Sequence, residues 1–162
     1  MADTQPEEWY HPSQDERTLA CVAHLTIFLS TIGLLIAIGL WVALRSKQPY
    51  AAFQAAQAVI FQFVTMILTF FVVFAALAAF FGLFGVGLAS GMEPTGAAFS
   101  FFFIIGVMVI VGAMSIASLL LYVYAVVAAY RSWKGRRFRI PGVASVAEAI
   151  SPMPRTPPEG VV

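Results

Sequence analysis

Few residues in this chain could carry chemistry, and most of them sit inside apolar sequence. His24 lies in the charge-free stretch Thr18–Leu44. An ionisable side chain that deep in a lipid-soluble segment is a functional candidate. Its imidazole could ligate a haem or another tetrapyrrole, or shuttle a proton. A lone His with no second His, Asp or Glu beside it serves just as well as a neutral interhelical hydrogen-bond partner, and that reading is preferred here. The second set is Gln54, Gln57 and Gln62, in the run Q-P-Y-A-A-F-Q-A-A-Q-A-V-I-F-Q over residues 48–62. On a helix Gln54 and Gln57 share a face, as do Gln62, Thr65 and Thr69. An amide is costly in hydrocarbon unless bonded, so this stripe should face protein, headgroups or water. Helix–helix bonding and the lining of a hydrophilic groove are both compatible with it.

The sequence lacks the residue sets that most enzymes need. It has no Ser-His-Asp arrangement, no pair of intramembrane carboxylates and no metal-ligand spacing. No enzymatic activity and no cofactor are therefore expected, with tetrapyrrole binding through His24 kept as the alternative. Without an intramembrane Asp or Glu, a proton-coupled transporter is not expected either. The single Cys21 permits no intrachain disulfide.

The elements that must position these residues follow from charge. Of 162 residues, 60% are hydrophobic and only 10% charged, far below a soluble domain. No charge occurs over residues 18–44, 48–92 or 94–130. About 20 apolar residues suffice to cross a bilayer core as a helix. The expected fold is an all-α integral membrane protein with three transmembrane helices, over about 19–44, 62–88 and 98–130, plus an interfacial amphipathic helix over about 50–61. A flexible acidic tail over 1–15 precedes this 16–141 domain, with Asp15 suited to cap the first helix. A Pro-rich disordered tail over 142–162 follows, with room for a short helix at 144–150. The acidic start does not read as a secretory signal.

The first segment is ambiguous. A helix over residues 19–44 would reach about 39 Å, more than the core. One reading is a single tilted or kinked span; the other is a re-entrant hairpin turning at Ser30-Thr31-Ile32-Gly33. The single span is preferred, because irregular backbone in lipid needs cover. Arg45-Ser46-Lys47 and Arg131–Arg139 are the basic stretches, the latter holding five of the nine Lys and Arg residues. Both should be cytoplasmic. A multi-pass protein of the cell membrane is expected, with the C-terminus cytoplasmic and, for a spanning first segment, the N-terminus outside. Partners should be membrane lipids and other membrane subunits or a second copy. A net charge of +1 offers nothing to nucleic acid.

Three blocks carry a resemblance. They are R-T-L-A-C-V-A-H-L over Arg17–Leu25; Pro49-Tyr50 with Phe53-Gln54-Ala55-Ala56-Gln57-Ala58 and Phe61-Gln62; and Ala128-Ala129-Tyr130 with Gly135, Arg139 and Pro141. Together they resemble a family of small bacterial membrane proteins related to the twenty-kilodalton (Tic-type) component of the chloroplast inner-envelope import translocon. The resemblance implies a compact helical membrane domain without known enzymatic activity, acting in translocation or as an accessory or assembly subunit of a larger complex. It singles out Arg17, His24, Gln54, Gln57, Gln62, Gly135 and Arg139 as interaction candidates. Two departures stand out. Gln54 replaces the family's usual His, and Ile38-Gly39-Leu40-Trp41 has Gly where Pro is common.

Overall fold

The computed structural model describes residues 10–91, 96–136 and 138–153, with residues 97–99 described in backbone only. Trp9, the turn around Glu93, Arg137 and the Pro-rich end beyond Met153 therefore lie outside the described residues. In order the chain forms α1 (Gln14–Leu25), a tight 3-10 turn (Thr26–Leu29), α2 (Ser30–Leu44), α3 (Pro49–Ala89), α4 (Ala97–Trp133) and α5 (Ala144–Ile150). No strand occurs among the described residues. As expected, the fold is all-helical, with three stretches among the described residues that are long and apolar enough, by length and composition, to cross a membrane: Gln14–Leu44, Pro49–Ala89 and Ser100–Trp133. Residues 50–61 are the opening turns of the 41-residue α3 rather than a helix of their own; the shorter helix of the fold is α5.

The chain divides into two compact units, one comprising Met1–Phe63 and Tyr124–Val162, the other Val64–Val123. In the first unit, α1 starts with a capping box. The Ser13 hydroxyl accepts from Glu16 N, and the Glu16 carboxylate accepts from Ser13 N. The cap is therefore Ser13, not Asp15, because the S-x-x-E spacing satisfies two backbone donors at once. The buried face of α1, Glu16, Ala20, Ala23 and His24, follows helical spacing.

The chain then folds back. Ser30 adopts φ 54°, ψ −131°, a conformation that side chains other than glycine rarely take and one that ends helical propagation. A Cβ on Gly33 would lie 1.7 Å from the Thr26 carbonyl oxygen, so the two backbones touch. In a continuous helix those residues would be about 10 Å apart along the axis. Further back, Leu40 and Trp41 of α2 pack against the cluster that Ala23 of α1 forms with Ala55 and Ala58. The open ends of this hairpin meet at the start of α3, where Tyr50 N donates to Glu16 Oε1 at 3.3 Å and Gln48 N donates to Leu44 O at 2.9 Å. This geometry replaces the expected single tilted span. It also removes the ground for placing the N-terminus on the face opposite the basic loop, since Gln14 and Arg45–Lys47 share one end of the unit. The small residues Ala20, Ala23, Gly33 and Ala37, all buried, allow the close approach.

Residues 50–58 of α3 are buried on every side, and Ala125, Ala128, Ala129 and Ser132 form the buried stripe at the end of α4. Beyond the turn at Gly135, Phe138 and Ile140 tuck inward. Next, α5 lays Ala144 and Ala147, with Met153 after it, against Ala20, Tyr50, Phe53 and Ala56. Residues 144–153, expected from sequence to lie in a disordered tail, thus pack within the first unit, because their apolar face meets Ala20, Tyr50 and Phe53.

The second unit is the remainder of α3 and α4. Phe103 packs edge-on against Phe80 and Phe84, with centroids 5.3 and 5.7 Å away. Its described residues carry no charge, and most large side chains, such as Phe71, Phe81 and Ile104, face outward as lipid requires.

Candidate functional site

The polar side chains of the first unit converge on one hydrogen-bonded cluster. Gln57 is its hub. Gln57 Oε1 accepts from Ile140 N at 2.7 Å, and Gln57 Nε2 donates to Phe138 O at 3.0 Å and to Gln54 Oε1 at 3.3 Å. Gln54 Nε2 donates to the same Phe138 carbonyl at 3.3 Å. That fixes the Gln54 amide with its oxygen toward His24, whose Nε2 lies 3.1 Å away. An amide oxygen can only accept, so His24 Nε2 carries the proton. The glutamine pair thus clamps an irregular segment, 138–140, by taking up the Phe138 carbonyl and the Ile140 N–H.

A second layer of bonds surrounds the hub. Gln62 Nε2 donates to Thr26 Oγ1 at 2.7 Å, and Thr26 Oγ1 donates to Ala23 O at 2.8 Å, fastening the hairpin turn to α3. The Tyr50 hydroxyl reaches both Ser132 O and Arg136 O at 3.0 Å, closing the end of α4 over the start of α3. The Glu16 carboxylate binds Tyr50 N through one oxygen. Through the other it accepts from Ser13 N at 3.1 Å and from the Tyr10 hydroxyl at 2.8 Å. An anionic group at the exposed N–H end of α3 is favoured by the helix dipole. Partial burial and that bond to Glu16 push the Tyr10 phenol up to about 12, so it remains a donor. Arg17 Nε donates to Pro12 O at 2.9 Å and lies over Gly135. Gly135 has φ 69°, which favours glycine, and a Cβ there would be 2.8 Å from Arg17 Nε, so a side chain would also have to displace the guanidinium.

Of the residues singled out from sequence, Arg17, His24, Gln54, Gln57, Gln62 and Gly135 all lie in this unit and contribute to its packing. Arg139 lies in the same unit but outside the cluster: it is exposed and ion-paired with Glu148. Glu16, Thr26 and Tyr50 belong to the same arrangement but were not singled out. The S-x-x-E capping spacing at Ser13–Glu16 was a signal for Glu16, and Tyr50 stood in the Pro49-Tyr50 block; nothing local marked Thr26.

The cluster has little left to offer a ligand. His24 is 3% exposed, its Nε2 is engaged, and its ring meets the edge of Phe138 at 6.4 Å. To ligate a tetrapyrrole through Nε2, it would have to give up its bond to Gln54 Oε1, which would keep only the donor from Gln57. No group of three His, Cys, Asp or Glu side chains with metal-holding geometry occurs among the described residues. In the second unit a cleft of about 430 Å³ is lined by apolar residues alone, Phe80, Phe84 and Ile105 among them. It lacks the polar groups that orient a ligand.

Fold and site define a polytopic helical membrane protein in which His24, Gln54 and Gln57 bond to one another and to its own backbone. A family model describing the magnetosome magnetite crystal formation protein family (MamF/MmsF) matches residues 15–147, and the chain belongs to that family. This corrects the resemblance to the import-translocon family. The three blocks behind it all fall within the matched range, and their Gln and Ala residues contribute to the buried hydrogen-bonded core. No curated protein and no solved structure matches the chain.

Proposed function

We propose that this chain is a non-enzymatic accessory protein of a magnetosome membrane, where it supports magnetite crystal formation through contacts with lipids and with other membrane subunits or further copies of itself. The observation that carries this reading is the internal commitment of the His24–Gln54–Gln57 cluster, combined with the family membership. Side chains bonded to backbone more than 80 residues away organise a scaffold, which supports an accessory role. The test is deletion in a magnetosome-forming bacterium, with crystals sized by electron microscopy and a fluorescent fusion located in the cell. Smaller or fewer crystals, restored by the chain, and a fusion that follows the magnetosome chain are expected. Normal crystals, with the fusion spread evenly over the cell membrane, would sink the reading.

Orientation belongs to the same proposal. Arg17, Arg45, Lys47, Arg131, Lys134 and Arg136 gather at the end where α1 begins and α2 and α4 finish. An excess of Lys and Arg marks the cytoplasmic side. Both termini are therefore placed in the cytoplasm. A Ser13→Cys variant on a Cys21→Ser background should be protected from an impermeant thiol reagent in intact cells and labelled after permeabilisation. Labelling without permeabilisation would reverse the assignment.

A further inference from the structure

The α1–α2 hairpin enters the first unit from its charged end and returns to it. Asp15, Glu16 and Arg17 stand at the entry, Arg45 and Lys47 at the exit, and no charge lies between. Its arms hold 12 and 15 residues. At 1.5 Å per residue they reach about 18 and 22 Å, close to half of a bilayer of about 40–45 Å with its headgroups and short of the core alone at about 30 Å.

The tip is built for hydrocarbon. Leu29, Ile32 and Leu35 are 53, 67 and 65% exposed. The irregular turn beneath them is covered internally: Thr26 Oγ1 is bonded on both sides, to Ala23 O and Gln62 Nε2, and Gly33 sits on the Thr26 carbonyl. Non-helical backbone survives at membrane depth only with such cover.

We propose that this hairpin is inserted in a single leaflet, the one that bears the charged end, with the acyl chains of that leaflet against Leu29, Ile32 and Leu35, and that the protein in consequence prefers membranes convex on that side. Each helical arm is about 10 Å across with its side chains. The hairpin adds the cross-section of two helices to one leaflet and nothing to the other. The mismatch in area is relieved where that leaflet is expanded, as in the outer leaflet of a small vesicle. The cytoplasmic leaflet of a small internal vesicle is such a surface. The inference stands on the hairpin alone, whatever the outcome of the deletion experiment.

The full chain, labelled at its N-terminus, is reconstituted into phosphatidylcholine vesicles of mixed size. Density and orientation are read on single vesicles, orientation from the fraction of label open to an impermeant quencher. The ratio of outward to inward molecules should rise about two- to fivefold from large to small vesicles. Trimming the tip with Leu29→Ala, Ile32→Ala and Leu35→Ala together should bring the ratio back toward its large-vesicle value. A ratio independent of size overturns the proposal, as does a bias that the trimmed variant keeps. Depth is checked separately with Ile32→Cys on the Cys21→Ser background. Resistance to an impermeant thiol reagent from both faces supports single-leaflet insertion; reaction from the face opposite the charged end overturns it.

Discussion

Replacing Gln57 with leucine is expected to cost the fold about 2–4 kcal/mol, whereas the same change at Gln62 should cost about 1 kcal/mol or less. Both are buried glutamines on α3 and both lose an amide of similar size. The difference lies in what each leaves behind. Without the Gln57 amide, the Ile140 N–H loses its acceptor in a site where water does not reach, and Phe138 O and Gln54 Oε1 each lose one of two donors. An orphaned buried donor costs its full desolvation energy, about 1–3 kcal/mol, beyond the modest value of the bonds themselves. Gln62 donates only to Thr26 Oγ1, and that hydroxyl keeps its bond to Ala23 O. Its leucine variant removes the polar group along with its need. Denaturation in mild detergent, followed by helix content, measures both. A Gln57→Leu variant no less stable than Gln62→Leu would mean that segment 138–140 is held by something other than the glutamine clamp.

That contrast marks how far the sequence could be read. Charge-free runs fixed the class and the neighbourhood of the long helices, because lipid tolerates few alternatives to a helix of the right length. The polarity of Gln54, Gln57 and Gln62 was visible, and so was their shared face. Their unequal roles were not, because the acceptors and donors that separate them are backbone groups at Phe138 and Ile140, in an irregular stretch more than 80 residues away. The short helix at 144–150 was legible from its local composition, but its packing against Ala20 and Phe53 was not. Residues 14–44 were harder still. Hydropathy counts apolar residues and is blind to direction, so a hairpin and a span of equal length look the same. The Ser30–Gly33 weak point was visible, yet choosing between kink and reversal needed the cover that Thr26 and Gln62 supply, again a contact between distant segments.

The reversal itself predicts opposite outcomes for one substitution at two nearby sites of α2. Gly33→Ala places a methyl group 1.7 Å from the Thr26 carbonyl oxygen, with the Leu29 Cβ at 3.2 Å on its other side. The first of these is backbone, held by the 3-10 turn, and cannot swing aside as a flexible side chain would. Relief requires α2 to move away from the turn by more than an ångström, which breaks the packing of Ala37 and Trp41 behind it. Overpacking of this kind costs about 3 kcal/mol or more. Gly39 has nothing within 4 Å of its would-be Cβ. There the alanine only lowers the entropy of the unfolded chain and improves helix propensity, a gain of about 0.5–1 kcal/mol. A straight, spanning first helix would treat both glycines alike, as exposed helical positions that alanine stabilises. Comparing the two variants in one denaturation series therefore tests the hairpin without any assumption about the membrane. Loss at Gly33 with gain at Gly39 is the signature of the fold-back, and equal gains at both would restore the single span. If Gly33→Ala fails to accumulate as folded protein while Gly39→Ala does, the sign of the difference already answers the question.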